Sequence, residues 1–248
     1  MKLKGKTAIV TGGGRDIGRA CVMALAAEGA NVVINYHSSA AGADSAVSDI
    51  EAAGGQAIAL KGDLTTQAGV DALIAAVVER FGGVDILVNN TGGLVARKTM
   101  AEADLEHWNT VMDLNVTSIF MTIKAALPHF RSGGTIINMA SLAGRDGGGP
   151  GAIAYATSKG AVITMTRGLA KELGPDIRVN ALNPGMIDTD FHNVFTKDAV
   201  RANVAAATPL KREGQPEEIG AVVTFLATEG AGFINGACID VNGGVAFS

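Results

Sequence analysis

Thr11-Gly12-Gly13-Gly14-Arg15-Asp16-Ile17-Gly18 is the stretch of sequence that decides the fold. A short apolar run at residues 7–10 precedes it, and a segment of helical periodicity begins at Asp16. Glycines let the backbone turn tightly and approach a pyrophosphate, and the free N–H groups at the start of a helix favour an anion. The stretch therefore predicts a strand-to-helix turn that binds the phosphates of a dinucleotide. A turn that only packs the helix closely on the sheet fits the same pattern.

Apolar runs and helical segments alternate from this turn to the end of the chain. Strands are predicted at residues 7–10, 30–35, 57–60, 84–89, 135–139, 177–182 and 237–241, and helices at 16–28, 40–53, 67–81, 104–120, 123–131, 154–173 and 216–227. The strands are continuous apolar runs, which is typical of parallel strands covered by helices on both faces. The pattern predicts one α/β domain over residues 1–248, a Rossmann-type doubly wound parallel sheet of about seven strands. Residues 188–215 are the least regular and are predicted to form a lid over a substrate.

The composition excludes several classes of function. The chain has 248 residues and a formal net charge of −4. Because nucleic-acid binding needs a basic face, nucleic acid is not an expected partner. We expect no membrane association, because no apolar run is long enough to span a bilayer. A cytoplasmic protein is expected because the start does not resemble a secretion signal and the two cysteines are far apart. The four histidines are scattered, so no metal is expected.

A tyrosine and a lysine provide the clearest candidates for chemistry. Tyr155 and Lys159 are four residues apart in Tyr155-Ala156-Thr157-Ser158-Lys159, so on a helix they share a face. An ammonium there stabilises a phenolate, and Lys159 is expected to lower the pKa of Tyr155 from about 10 toward neutrality. Such a tyrosine can donate a proton to a carbonyl oxygen, or remove it in the reverse reaction. Ser141 ends a predicted strand, where an α/β sheet presents residues to ligands. Asn115 interrupts an apolar helix, and it also fits a satisfied buried amide.

These features together resemble the short-chain dehydrogenase/reductase family, over about residues 3–244. The cofactor motif of that family is T-G-x-x-x-G-x-G. Thr11, Gly12 and Gly18 match it, whereas Asp16 stands where the second glycine is expected. Aspartate tolerates a left-handed backbone better than most residues, so we expect the turn to survive. Its carboxylate is an unfavourable neighbour for a pyrophosphate.

The resemblance implies one catalytic set, Asn115, Ser141, Tyr155 and Lys159, in which Lys159 also holds the nicotinamide ribose and the backbone of Asn115 supports a water in a proton relay. The expected activity is an NAD(P)-dependent oxidoreductase that interconverts a carbonyl and a secondary alcohol by hydride transfer. A non-catalytic NADP-binding sensor is less favoured, because such proteins usually lose the tyrosine or the lysine.

The end of the second predicted strand bears on cofactor preference. In Asn35-Tyr36-His37-Ser38 there is no acid to hold the ribose 2′-hydroxyl of NAD, and Arg15 is available near the adenosine. NADP(H) is therefore the preferred cofactor, with NAD(H) as the alternative, although Arg15 also fits a solvated surface residue. With the family resemblance, the residues expected to bind the cofactor are Gly12, Gly14, Arg15, Ile17, Gly18, Tyr36, His37, Ser38, Asp63, Leu64, Asn90, Gly92, Tyr155, Lys159, Pro184, Gly185, Ile187 and Thr189.

The substrate is less sharply indicated. Arg97, Arg145 and His192 are the candidate substrate ligands, and arginine is suited to a carboxylate. The chain resembles reductases of keto-deoxy uronates in this respect, so a keto sugar acid is the first hypothesis. It also resembles 3-oxoacyl-[acyl-carrier-protein] reductases, and a 3-oxoacyl thioester is the alternative. The family resemblance further implies a homotetramer.

Overall fold

A seven-stranded parallel sheet forms the centre of the protein in a computed structural model, which describes residues 1–247. The strand order is β3-β2-β1-β4-β5-β6-β7, and every neighbouring pair is parallel. The strands are β1 (Thr7–Val10), β2 (Asn31–Tyr36), β3 (Gln56–Lys61), β4 (Val84–Asn89), β5 (Phe130–Met139), β6 (Ile177–Pro184) and β7 (Cys238–Val241). The predicted fold class and strand number are confirmed.

Helices connect the strands and cover both faces of the sheet. They are α1 (Asp16–Ala27), α2 (Ala40–Ala52), α3 (Gln67–Phe81), α4 (Leu105–Met112), α5 (Ser118–Ala126), α6 (Ala143–Asp146), α7 (Ile153–Leu173), α8 (Asp190–Phe195), α9 (Asp198–Ala207) and α10 (Pro216–Ala227). Buried residues of α1, α2 and α10 form one core cluster, and those of α3, α5 and α7 form the other. Side chains of β1 alternate between them, since Ala8 and Val10 belong to the first cluster and Ile9 to the second.

The strand order reverses between β1 and β4, which lie side by side in the middle of the sheet. Chain connections leave in opposite directions at such a point and open a crevice at the carboxyl ends of the strands, where α/β proteins bind ligands. The glycine-rich turn follows β1 directly and therefore lies at this crevice.

The helix predicted at residues 123–131 is wrong at its end. α5 stops at Ala126, a short 3-10 turn covers Leu127–His129, and β5 already begins at Phe130, which pairs with Val84. Pro128 cannot donate the backbone hydrogen bond that a helix requires, and pairing with a distant strand then decides the conformation. The long helix predicted at 104–120 is also divided. A π-helical turn at Asp113–Thr117 separates α4 from α5.

Residues 188–215, here called the lid segment, contain two helices that the sequence pattern did not predict, α8 and α9. Neither helix contains a fully buried residue. Within residues 1–247, no helix is both long and apolar enough to cross a bilayer.

Candidate active site

A cavity of about 1450 Å³ lies at the carboxyl ends of the strands, at the crevice described above. Single small-molecule pockets usually measure roughly 300–1,000 Å³, so this one has room for a dinucleotide and a small substrate together. All the predicted cofactor residues line it, as do Ser141, Arg97 and His192. Two predicted site residues, Asn115 and Arg145, are not among its lining residues.

The loops that follow β1 and β4 are bonded into one unit at the floor of the cavity. The side-chain amide of Asn90 donates to the carbonyl oxygens of Thr11 and Gly12, at 3.0 and 3.1 Å. The hydroxyl oxygen of Thr11 accepts the N–H groups of Asn90 and Thr91, both at 2.9 Å. A Cβ on Gly18 would lie 2.1 Å from the oxygen of Gly12, so only glycine lets α1 pack this closely on the turn.

Asp16 adopts a left-handed backbone, with a φ of +49°, where the motif expects glycine. The turn therefore survives the substitution. One carboxylate oxygen accepts the backbone N–H of Asp190 at 3.1 Å, at the first residue of α8. The other oxygen lies 3.8 Å from Nε of Arg15. The carboxylate is thus directed toward the lid segment and a neighbouring cation.

Tyr155 and Lys159 lie one turn apart on α7, with Ser141 just beyond the end of β5. Lys159 is buried, and its Nζ donates to the carbonyl oxygen of Met139 at 2.8 Å. Burial lowers the pKa of the Lys159 ammonium to about 8. The same Nζ is 5.7 Å from the centre of the Tyr155 ring.

The tyrosine pKa differs from the sequence-based expectation. Burial raises the pKa of Tyr155, and a side-chain hydrogen bond from Ser141 opposes that rise without overcoming it. The ring of Phe191 in α8 lies 5.8 Å from the Tyr155 ring and covers it from the lid side. Tyr155 is consequently protonated at neutral pH, the form that donates a proton to a carbonyl oxygen.

Asn115 lies in the π-helical turn and is fully buried. Its side-chain Nδ2 donates to the carbonyl oxygens of Gly93 and Val111, both at 2.8 Å, and its Oδ1 accepts the N–H of Gly93 at 3.0 Å. A Cβ on Gly92 would lie 2.6 Å from that Oδ1 and 3.0 Å from Nζ of Lys159. The side chain therefore clamps the loop after β4, beside the lysine, and its predicted catalytic role remains a prediction.

Two of the candidate substrate ligands, Arg97 and Arg145, form hydrogen bonds with other groups of the chain. Arg97 donates from Nε to the carbonyl oxygen of Phe195 and from Nη1 to that of Pro150, both at 2.9 Å. Arg145 pairs with Asp240 at 2.5 Å and donates to the carbonyl oxygen of Phe247 at 2.9 Å. Burial, with a smaller contribution from Arg201, lowers the pKa of His192, so this histidine is neutral at pH 7.

The opposite end of the cavity contains Arg15, His37 and Ser38. Asp63, predicted to bind the cofactor, accepts the N–H and the hydroxyl of Thr65 at 2.9 and 2.7 Å. These two bonds lower the pKa of the Asp63 carboxyl. The glycine-rich lining and the volume of the cavity fit a phosphate-bearing dinucleotide. Among residues 1–247, no group of three or more acidic, histidine or cysteine side chains is arranged to hold a metal ion.

The sequence pattern missed Phe191 and Phe195, which pack on each other with ring centres 5.2 Å apart. They lie in a segment without clear periodicity, so only the cluster of aromatic residues near Thr189 hinted at them.

Comparison with known proteins agrees with this geometry. A family model described as enoyl-(acyl carrier protein) reductase matches residues 12–246. Similar proteins include an uncharacterized oxidoreductase of Methylorubrum extorquens, 41% identical over 98% of this chain and 99% of that one. A 3-oxoacyl-[acyl-carrier-protein] reductase of Synechocystis is 40% identical over 98% of both chains. Glucose 1-dehydrogenase 2 of Bacillus subtilis is 38% identical over 98% of this chain and 95% of that one.

The chain belongs to the short-chain dehydrogenase/reductase family. A short-chain dehydrogenase/reductase from Serratia marcescens superposes with a TM-score of 0.93, at 36% identity and with 100% of both chains covered. A short-chain dehydrogenase of Burkholderia cenocepacia, solved in complex with NADP, gives a TM-score of 0.92 at 35% identity, with 99% of both chains covered. As a member of this family the protein is an oxidoreductase that acts on alcohol and carbonyl groups and uses an NAD(P) cofactor.

Proposed function

We propose that this short-chain dehydrogenase/reductase is an NADP(H)-preferring enzyme that interconverts a ketone and a secondary alcohol, with Tyr155 as the proton donor in reduction. The observation that carries the proposal is that Ser141, Tyr155 and the buried Lys159 line one cavity, which is large enough for a dinucleotide. A protonated tyrosine and a hydroxyl side by side suit one carbonyl oxygen.

The glycine turn, Asn90 and Thr189 would hold the cofactor phosphates and the neighbouring ribose, and Lys159 would hold the nicotinamide ribose. A bound nicotinamide supplies the hydride. Ser141 orients the carbonyl oxygen, and Tyr155 donates its phenolic proton to that oxygen. The buried ammonium of Lys159 stabilises the phenolate that remains. The main chain of Asn115 would support the water that returns a proton to it.

NADP(H) is favoured over NAD(H) by the charges at the adenosine end. Arg15 is mostly exposed there, and β2 ends without an acid that would repel a 2′-phosphate. NADP in the complex of the Burkholderia cenocepacia relative is consistent with this preference.

The substrate end of the cavity favours an uncharged ketone with an apolar or thioester-linked arm. Arg97 and Arg145 are bonded to the chain, and the surrounding side chains are largely apolar: Leu94, Leu142, Met186, Phe191, Phe195 and Val245. A 3-oxoacyl thioester, the substrate type in the name of the Synechocystis relative, fits that lining better than an anion does. The order expected from the sequence is therefore reversed.

A keto sugar acid is the second candidate. Arg97 and His192 do line the cavity, and one relative is named a glucose dehydrogenase. The bonds to Phe195 and Pro150 use Nε and one N–H of Nη1, so a carboxylate would bind Arg97 through Nη2 and the second N–H of Nη1.

Oxidation of NADPH and of NADH by the purified protein tests the proposal, with an acetoacetyl thioester and a keto-deoxy uronate as parallel substrates. We expect turnover of the thioester and a higher kcat/KM with NADPH than with NADH. Turnover of the uronate alone would overturn the substrate assignment and revive Arg97 as a carboxylate ligand. Turnover of neither ketone would contradict the proposed reaction. An equal kcat/KM with NADH and NADPH would contradict the proposed cofactor preference.

Of three further assignments, the homotetramer rests on the family resemblance, and the cytoplasmic location and the single domain with its lid rest on the sequence pattern. A homotetramer is supported by large apolar side chains that one subunit leaves exposed, including Phe120, Phe225 and Phe233. A cytoplasmic location and a single domain over residues 1–248, with the lid segment closing on substrate, complete the proposal. Light scattering of the purified protein tests the first of these.

A further inference from the structure

We propose that Asp16 is a positioning residue. Its carboxylate bonds α8 to the glycine-rich turn at residues 11–18, here called the phosphate-binding turn, and thereby holds Phe191 against Tyr155. Nothing in the glycine motif requires a carboxylate at this position. The inference rests on the proposed function only for its kinetic test, because the link itself is a contact within the chain.

The backbone at Asp16 has a φ of +49°, a conformation that favours glycine. An aspartate is nevertheless present, and its carboxylate accepts the N–H of Asp190, which is 174 residues away in the sequence. Arg15 lies 3.8 Å from the second carboxylate oxygen and partly compensates its charge. The residue thus bonds the lid segment with a side chain that glycine does not have.

The opposite end of α8 is fastened by Arg97. Its Nε donates to the carbonyl oxygen of Phe195, the last residue of α8, where a cation is also favoured by the helix dipole. Phe191 lies between the two ends, 5.8 Å from the Tyr155 ring. The short helix is therefore held across the cavity by two polar contacts, one to each of the loops that follow β1 and β4.

The outer side of α8 is held separately. Arg201 in α9 donates to the side chains of Asn193 and Asp188, at 2.5 and 2.6 Å, and pairs with Glu213. These bonds join the parts of the lid segment to each other. None of these bonds of Arg201 involves the phosphate-binding turn, whereas the bond between Asp16 and Asp190 does.

Loss of the Asp16 contact leaves α8 attached through Arg97, so the closed arrangement of Phe191 over Tyr155 becomes less populated. The apparent affinity for a ketone falls in proportion to that population. Cofactor binding follows a different course, because removal of a carboxylate from the phosphate-binding turn does not disfavour an anion. The proposal thus predicts that loss of the Asp16 contact lowers the apparent affinity for the ketone and does not lower the affinity for the cofactor.

Two pairs of variants isolate the bond. Asp16→Gly removes the acceptor and suits the left-handed backbone, whereas Asp16→Asn keeps an acceptor oxygen and a residue that tolerates this conformation. Asp190→Pro removes the donor N–H. Proline is suited to the first position of a helix, and Thr189 before it is extended, with φ −150° and ψ 160°. Asp190→Ala is its control, because it keeps the N–H and loses only the side-chain bond to Asn193.

We expect Asp16→Gly and Asp190→Pro to raise the KM for a ketone by about three- to tenfold, with little change in kcat. The double variant should match the single ones, because both remove the same bond. Asp16→Asn and Asp190→Ala should stay within about twofold of the unmodified protein. The Kd for NADPH, measured by fluorescence, should be unchanged or lower in Asp16→Gly.

Hydrogen exchange of peptides spanning residues 186–197 provides a readout that needs no substrate. Faster exchange in Asp16→Gly, with exchange in Asp16→Asn unchanged, is the expected result. Unchanged exchange in Asp16→Gly, additive effects in the double variant, or a weaker NADPH affinity that parallels the KM would each overturn the proposal. If the unmodified protein reduces no ketone, the proposed function fails, and the exchange experiment still decides the role of Asp16.

Discussion

The two sides of the cavity are held in different ways. On the catalytic side, Lys159 and Asn115 are buried and bond to main-chain groups of the central sheet and the loop after β4. On the lid side, α8 and α9 contain no fully buried residue. Polar contacts of Asp16, Arg97 and Arg201 hold them. Segments with few buried apolar contacts open at low free energy, so the proposed chemistry lies on the rigid side and the proposed choice of substrate on the mobile one.

Removal of the tyrosine hydroxyl tests the catalytic side most severely. Tyr155→Phe keeps the ring that packs on Phe191 and removes the proton donor. We expect kcat to fall by about a thousandfold, since general acid catalysis contributes roughly 10²–10⁴. Stopped-flow or steady-state NADPH oxidation measures kcat, and the Kd for NADPH should be unchanged. A variant that keeps a tenth of the activity would exclude Tyr155 as the donor.

Lys159→Met tests whether the buried ammonium on the rigid side lowers the stability of the folded protein. A pKa lowered from 10.5 to about 8 corresponds to roughly 3 kcal/mol against the buried ammonium. The lost bond to Met139 offsets part of this, so we expect the variant to be inactive and about 1–2 kcal/mol more stable at pH 7. The buried ammonium destabilises the unmodified protein by the full amount below pH 8, where Lys159 is protonated in both the folded and the unfolded state. This destabilisation disappears as the pH rises toward 10.5.

Denaturant unfolding at pH 7 and pH 10 measures this difference. Lys171 on the same helix is exposed, and Lys171→Met is the matched control, with no gain expected at either pH. A Lys159→Met protein that is less stable at pH 7 would show that the ammonium contributes to the fold.

Arg97→Ala tests the mobile side. Because Arg97 bonds two carbonyl groups of neighbouring segments, its loss should raise KM about fivefold for neutral and anionic ketones alike. Arg145→Ala is the control, since Arg145 itself does not line the cavity, although its partner Asp240 does, and less than about a twofold change is expected. Parallel KM measurements with both substrate types decide the case. An increase confined to the anionic substrate would assign Arg97 to carboxylate binding.

The fold was predictable because its elements are encoded locally. Helices α3 and α10 and strands β1 and β4 have the predicted bounds, since their apolar periodicity coincides with their burial. The end of the predicted helix at 123–131 was wrong because Phe130 pairs with a strand more than forty residues earlier in the sequence. Tertiary pairing of this kind leaves no periodic signal.

The site was predictable in its residues and less so in its electrostatics. The spacing of Tyr155 and Lys159 brought them together on α7, but the raised pKa of Tyr155 depends on burial partly due to Phe191, 36 positions later. The partners of Arg97 and Arg145 are main-chain oxygens and a carboxylate between 53 and 102 residues away. From residue type alone, both arginines were predicted to bind a carboxylate of the substrate.

The π-helical turn at Asp113–Thr117 also sets the rotation of one helix relative to the next. Buried residues recur every four positions through this region, at His107, Val111, Asn115, Ile119 and Ile123. In a regular helix of 3.6 residues per turn, such a row drifts by about 40° at each step. The wider turn absorbs part of that drift and keeps the row in one direction. Deletion of one residue there would rotate the following side chains by about 100°, so that Ile119 and Ile123 would turn out of the core. The depth of Asn115 and the alignment of α4 with α5 therefore depend on a single additional residue.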